Sequence, residues 1–301
     1  MTNPDLPLVS VVTPSYNAAA FIRETIESVR SQDYLAIEHI VVDGGSTDGT
    51  VDILTEYPHL TWVSEPDRGQ SDALNKGFRQ ARGAIIGWLN ADDVYRPGAI
   101  RTAVAFLRER PDVAGVYSDC SFIDEQGKPF YLSAARKFDI RTLLLEDYIP
   151  QPTVFLRRRA IEDAGPLDES LRYVMDWEYW LRIGACHRLA RIPGVALASF
   201  RLCQGTKSND KAPEFDLEYL RVLDALFKQA PYRNLPIGWR WRAVRLAWSR
   251  HYMTKTFAAR HRDRRAEARH ALPRGVLNNP AWLANRGVWS TAAWAFAGIG
   301  K

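Results

Sequence analysis

Two adjacent carboxylates, Asp92 and Asp93, close the stretch Ile85-Ile86-Gly87-Trp88-Leu89-Asn90-Ala91. A short apolar run bounded by polar residues reads as a buried strand. In an open α/β sheet, ligands sit at the carboxyl ends of the strands. Two acids there repel each other and lose hydration, and a divalent cation compensates both effects. Magnesium usually pairs one or two carboxylates with substrate phosphates. The plainer alternative is a helix N-cap followed by a solvated acid. Asp43 ends a second apolar run, Ile40-Val41-Val42, and can accept hydrogen bonds from a nucleobase N–H or a ribose hydroxyl. Thr13-Pro14-Ser15-Tyr16-Asn17 ends a third. A diphosphate among these acids needs a cation, either a metal held by Asp93 or Lys/Arg. Taken singly, each stretch is equally a strand end, a turn or a cap.

Such residues converge only if parallel strands deliver them to one edge. Leu8–Thr13 reads as a β-branched strand, and Ala18–Gln32 as a helix with Phe21, Ile22, Ile26 and Val29 on one stripe. Glu38–Asp43 is the next strand, followed by the turn-rich Gly44–Thr50 and a helix over Val51–Glu56. Leu60–Ser64 is a strand, and a helix runs from Asp72 through Ala81 into the strand that ends at Asp92. Arg96–Glu109 reads as helix and Val113–Tyr117 as strand. Asp124-Glu125-Gln126-Gly127-Lys128 is a hairpin turn. Gln151–Leu156 reads as an edge or bent strand, because Pro152 interrupts a ladder. Val174–Ile183 is a short aromatic helix, Leu189–Leu202 a strand and Phe215–Gln229 a helix. Strands alternating with helices predict an α/β fold with a mostly parallel, Rossmann-like sheet flanked by helices.

The 301 residues are 46% hydrophobic and 25% charged, the balance of a folded chain. Cys120, Cys186 and Cys203 are odd in number and scattered, so neither a disulfide framework nor a metal-ligand spacing is expected, and a reducing compartment is. The first residues lack the pattern of a signal peptide. No run approaches the roughly 18 apolar residues of a membrane span. Net charge is +5, unevenly spread: Arg233–Arg274 holds 12 Lys/Arg against 2 Asp/Glu. The rest of the chain is mildly acidic, which argues against nucleic acid as a partner.

Four stretches, in order and spacing, resemble the motifs of glycosyltransferase family 2 with the GT-A fold. They are Thr13-Pro14-Ser15-Tyr16-Asn17, Asp43-Gly44-Gly45-Ser46-Thr47-Asp48-Gly49-Thr50, Asp72-Ala73-Leu74-Asn75-Lys76-Gly77 and Leu89-Asn90-Ala91-Asp92-Asp93. The resemblance covers roughly residues 7 to 208. It implies sugar transfer from a nucleotide donor, usually with inversion, with manganese or magnesium as cofactor. By resemblance, Thr13, Pro14 and Tyr16 line the nucleotide pocket and Asp43 contacts the base, uracil in a UDP-sugar. Arg68 and Lys76 lie in the segment facing ribose or phosphate. Asp93 matches the metal ligand, and Asp92 lies near the ribose or donor sugar. Asp176 matches the catalytic base, which an inverting displacement requires to take the acceptor's proton. Glu178 is a weaker candidate for that role, and Trp177, Tyr179 and Trp180 are apolar rings for sugar faces. Gln151-Pro152-Thr153 matches a position by the acceptor or donor sugar. Phe200–Ser208 matches a loop closing over the donor, with Cys203 where the family often has His. Arg201 and Lys207 are then the expected phosphate contacts.

The expected domains are 1–230, catalytic, and 231–301, a basic, Trp-rich helical extension. Trp241, Val244, Trp248 and Tyr252 follow helical spacing, which suits a helix lying in a membrane interface. Packing on the catalytic domain or on a second copy is the competing reading of these aromatics. The expected partners are a nucleotide-sugar donor and a saccharide or lipid-linked acceptor, at the inner face of the plasma membrane on its cytoplasmic side. Other classes fit less well. A sugar-nucleotide pyrophosphorylase needs a Gly-rich, Arg-containing loop after the first strand, and a Rossmann dehydrogenase needs Gly-x-Gly-x-x-Gly there. Pro14-Ser15-Tyr16-Asn17 stands there instead. A non-catalytic nucleotide-sugar-binding module would lack the metal and base residues.

Overall fold

The computed structural model describes residues 6–203 and 213–297. The chain forms two compact units, Met1–Leu143 with Asp147–Thr206, and Leu144–Glu146 with Lys207–Lys301. This division falls before the helix that opens at Pro213, whereas the sequence reading drew it at residue 230.

The first unit opens with β1 (Val9–Ser15), α1 (Ile22–Arg30), β2 (Ile37–Asp43), α2 (Thr50–Thr55), β3 (Thr61–Ser64), α3 (Gln70–Gln80) and β4 (Ile85–Trp88). β1 lies between β2 and β4, β3 flanks β2, and all four are parallel. Every β1 residue is buried, Ser10, Thr13 and Ser15 included, as expected of a strand inside a parallel sheet covered on both faces. The α1 stripe Ile22, Ile26 and Val29 is buried as its spacing predicts. α3 lies close on this half because Gly77 faces Val12 and Val42, and a Cβ there would collide with Val12.

Register builds the ligand edge. Ser15 pairs with Asp43 and Asp43 with Ser64, so three polar side chains share one row at the carboxyl ends. Leu89 N–H donates to the Val12 carbonyl at 3.1 Å. The chain after β4 therefore leaves the sheet at the same edge.

The remaining elements of this stretch are β5 (Val94–Tyr95), α4 (Ala99–Glu109), β6 (Gly115–Ile123), β7 (Pro129–Ser133), α5 (Ile140–Leu145), β8 (Phe155–Arg157), α6 (Arg158–Ala164), α7 (Met175–Cys186) and β9 (Leu189–Arg201). The sheet order is β3-β2-β1-β4-β8-β6-β9-β5, with β7 beside β6. β8 runs antiparallel to both β4 and β6, so β6 again points the same way as β4. The sheet is parallel in its first half and mixed in its second. β8 is an interior strand, not the edge or bent strand expected. Gln151–Thr153 forms a 3-10 turn that takes up Pro152 at its start, where a missing N–H does no harm. The three residues of β8 then pair on both sides.

The second unit contains α8 (Pro213–Leu226), α9 (Ile237–His261), α10 (Arg265–Asn278) and α11 (Arg286–Ala292). α9 and α10 are joined where the Ser249 hydroxyl donates to the Gly275 carbonyl at 2.7 Å. Ala259, Ala268, Trp294 and Ala295 form a small buried cluster. The expected aromatic stripe on α9 is divided. Trp241 is exposed, while Trp248 and Tyr252 stack on each other at 5.6 Å and are half-buried. No helix among the described residues is long and apolar enough to cross a membrane.

Candidate active site

Asp43 is fully buried at the end of β2. Its Oδ2 accepts from Gly45 N–H (3.1 Å), Ser46 N–H (2.9 Å) and the Ser64 hydroxyl (2.7 Å). Its Oδ1 accepts from the Ser46 hydroxyl at 2.5 Å. Gly45 has φ +81°, which lets the chain fold back over the carboxylate. The loops after β1 and β2 are locked together. Asn17 N–H donates to the Ser46 hydroxyl (2.7 Å), and Thr47 N–H donates to Asn17 Oδ1 (3.0 Å). Of the three expected pocket residues, Tyr16 is exposed. Thr13 and Pro14 are buried in β1, and Thr13 Oγ1 lies 3.0 Å from His39 Nε2.

The acidic pair divides by burial. Asp93 is 1% exposed. Its Oδ1 accepts the Arg201 N–H at 2.9 Å, and Asn90 Nδ2 lies 3.5 Å from Oδ2. Burial, and then the Asp92 charge, push its carboxyl well above the ordinary range. Asp92 is half-buried, and its carbonyl accepts from Arg201 Nε at 2.9 Å. Asp93 is thus the interior acid of the pair and Asp92 the more accessible one. Cys203 is buried too. Burial, followed by the Asp92 charge, raises its thiol, so the Cys position borders the pair.

Arg201 corrects another expectation. It is 1% exposed, and its guanidinium is committed to protein groups. Besides the Asp92 carbonyl it binds the carbonyls of Asp124 (3.0 Å) and Glu125 (3.1 Å) and the Glu24 carboxylate, and it lies over the Phe21 ring. It clamps β9 to the turn after β4 instead of reaching for a phosphate. Arg68 is exposed but paired with Glu169 (2.6 Å) and Asp72 (3.3 Å). Lys76 is paired with Glu65 (2.8 Å) and Asp72 (3.5 Å). Lys207 lies outside the described residues.

Asp176 stands in the first turn of α7, half-buried, with Oδ1 accepting the Trp177 N–H at 2.8 Å. The rings expected to meet sugar faces are core instead. Trp177, Tyr179 and Trp180 are buried, and Trp177 Nε1 donates to the Leu143 carbonyl at 2.7 Å. α7 turns Met175, Trp177, Tyr179, Trp180, Leu181 and Ile183 into the core. Glu178 is held by Arg182 in a bidentate pair at 2.6 and 2.8 Å, which leaves Asp176 as the candidate base. Gln151 is buried with both ends of its amide used. Nε2 donates to the Trp88 carbonyl (2.7 Å) and Oε1 accepts from Asn90 Nδ2 (2.9 Å). It ties the turn before β8 to the end of β4.

A model of the family described as Glycosyl transferase family 2 matches residues 10–164, β1 through the end of α6. The chain belongs to glycosyltransferase family 2. An uncharacterized glycosyltransferase of Rickettsia prowazekii is 34% identical over 186 residues, 58% of this chain and 58% of that protein. The chain thus spans 58% of that relative's length. The putative teichuronic acid biosynthesis glycosyltransferase TuaG of Bacillus subtilis is 31% identical over 214 residues, 68% of this chain and 83% of that one. Among solved structures, S. aureus TarS 1–349 in complex with UDP-GlcNAc aligns with a TM-score of 0.66 at 19% identity, covering 90% of this chain and 81% of TarS 1–349. The mannosyltransferase PcManGT from Pyrobaculum calidifontis, in complex with GDP-Man and Mn2+, aligns at 0.62 and 19%, covering 99% of this chain and 89% of that one. These two likenesses show the fold, which is GT-A.

Within this family 2 site, sequence reasoning missed the residue at its centre. Asn90 Oδ1 accepts from Gln70 Nε2 and from Trp88 Nε1, both at 2.8 Å, while its Nδ2 serves Gln151. Asn90 stood inside a recognised motif without a role, and nothing local signals a partner twenty residues upstream. Ser71, next to Gln70, donates to the Met175 sulfur at 3.1 Å. Among the described residues no group of three or more His, Cys, Asp or Glu is placed to hold a metal. The half-buried Asp92 carboxylate would contribute one oxygen ligand to a divalent cation held mainly by substrate phosphates.

Proposed function

We propose that the chain is an inverting glycosyltransferase. It moves a sugar from a nucleotide-diphosphate sugar, UDP-sugars favoured, to a saccharide or lipid-linked acceptor in bacterial surface-polysaccharide assembly. One observation carries the reading. Two side-chain contacts link the acidic motif to the base helix: Asn90 to Gln70, then Ser71 to Met175. The first begins two residues from Asp92 and the last ends one residue from Asp176.

In this reading the Asp43 carboxylate, at the end of β2, contacts the nucleotide base. Asp92 holds manganese or magnesium, and Asp93 stays inside, fixing the turn through Arg201. When bound, the metal stabilises the charge of the leaving diphosphate. Asp176 accepts the proton of the acceptor hydroxyl as that oxygen attacks from the face opposite the nucleotide. The complexes of TarS with UDP-GlcNAc and of PcManGT with GDP-Man and Mn2+ support a nucleotide-sugar and a divalent metal. TuaG, by its name, supports a polysaccharide context. A lipid-linked acceptor is presented at a membrane face, so the reading includes attachment of the chain at the cytoplasmic side.

Transfer from UDP-sugars in the presence of Mn2+ tests these roles. Asp92→Asn and Asp176→Asn are each expected to lose about 10²-fold or more in turnover at unchanged Tm. Asp92→Asn also loses Mn2+-dependent UDP binding in calorimetry, and Asp176→Asn keeps it. Wild-type turnover in both variants would refute the mechanism. Metal binding lost with Asp93→Asn but kept with Asp92→Asn would return the metal to Asp93.

A further inference from the structure

The second unit carries positive charge that it does not neutralise. Of the 12 Lys/Arg between Arg233 and Arg274, one has a carboxylate within ion-pair distance among the described residues: Arg264, paired with Glu267. Arg245, Arg269 and Arg274 donate to backbone carbonyls, and Arg260 to hydroxyls. Those bonds hold the side chains and leave their charge.

One ridge of the same unit is apolar. Ile237, Trp241, Leu277 and Trp289 are 67%, 65%, 71% and 58% exposed. Ile237, Trp241 and Arg245 recur every four residues on α9, so they share a face. Arg245 donates to the Leu277 carbonyl at 2.5 Å, which brings the end of α10 to that face. One turn further along α9, the Ser249 hydroxyl accepts from Trp282 Nε1 at 3.1 Å. Trp289 Nε1 donates to the Leu283 carbonyl at 2.7 Å, which closes the ridge beside Trp282. Arg245 lies within it, and Arg242, Arg274 and Arg286 stand within a helical turn of its apolar members.

We propose that this ridge is a docking face for an anionic lipid bilayer. Ile237, Trp241, Leu277 and Trp289 enter the headgroup–acyl boundary while Arg245 and its neighbours meet lipid phosphates. The assignment deepens the membrane-attachment part of the proposed function and rests on it. Charge and apolarity together select the occupant. A second copy would bring the same unneutralised cations against themselves. A nucleic acid would engage the cations and leave Ile237 and Leu277 in water.

The test is flotation of the full chain with phosphatidylcholine vesicles, with and without phosphatidylglycerol. Partition onto the anionic vesicles is expected to be about tenfold higher and to fall as salt rises. Trp241→Ser combined with Leu277→Ser and Trp289→Ser is expected to lower it about tenfold while keeping transfer to a soluble saccharide acceptor. The single Trp241→Ser and Leu277→Ser variants, each at an exposed site, give smaller losses and serve should the triple variant not fold. Asp92→Asn is expected to float like the wild type, so loss of the catalytic reading and loss of this one are separate results. Equal partition onto neutral and anionic vesicles overturns the proposal, as does wild-type flotation of the serine variants. So does dimerisation abolished by the serine changes, or RNA retention, without flotation.

Discussion

His39 sits inside the sheet with Nε2 against Thr13 and with no partner for Nδ1 among the described residues. Burial lowers its pKa from about 6.5 to about 3. The folded chain therefore keeps this ring neutral where the unfolded chain protonates it. Its contribution to stability is complete above about pH 6.5 and is lost as pH falls toward 3, at a limiting slope of about 1.4 kcal/mol per pH unit. Urea unfolding of the wild type and of His39→Gln, compared at about pH 7 and about pH 4.5, should show the flatter dependence in the variant. Equal slopes would place the acid sensitivity elsewhere. At this scale the sequence made the position of a residue easier to read than its exposure. Asp43, Asp92 and Asp176 stand at element ends that patterning reveals. The burial of Arg201 and Gln151 was not legible because their partners lie far away, Arg201 with Glu24 and Gln151 with Trp88. A buried arginine bound to carbonyls and a phosphate-seeking arginine look alike in one dimension.

α3 shows the same lesson for elements. Its approach to β1 depends on a residue with no side chain. Gly77→Ala should destabilise by about 1–3 kcal/mol through overpacking against Val12, read as a shift of the urea midpoint at constant m-value. Asn90→Ala acts at the far end of α3. It removes the partner of Trp88 Nε1 and of Gln151 Oε1 together, and each buried orphan costs about 1–3 kcal/mol. Turnover should fall with stability, because the same amide links β4, α3 and the turn before β8. Wild-type turnover in Asn90→Ala would show that the link is structural only. The βα alternation up to β4 was legible because those strands are β-branched or apolar runs bounded by turn residues. A strand was legible near Gln151–Leu156 but the interior place of β8 was not, because three strand residues carry too little pattern to reveal pairing on both sides.

For the whole molecule, two units with their own packing predict more than one unfolding transition. UDP with Mn2+ should raise one transition, by about 2.7 kcal/mol at a hundredfold excess over Kd, and leave the other in place. Differential scanning calorimetry reads both. A single transition shifted as one would show that the units unfold together. The interior place of β8 has a further consequence, for synthesis. β4 gains its second neighbour about 70 residues after it is made, which at 5–20 residues per second takes several seconds. Through that interval Ile85 and Ile86 stand on an open, apolar strand edge. A ribosome paused before Arg157 therefore holds a chain ready to pair with its neighbours on the polysome. Slow codons between Asn90 and Val154 should raise the aggregated fraction more than the same codons placed after Arg157.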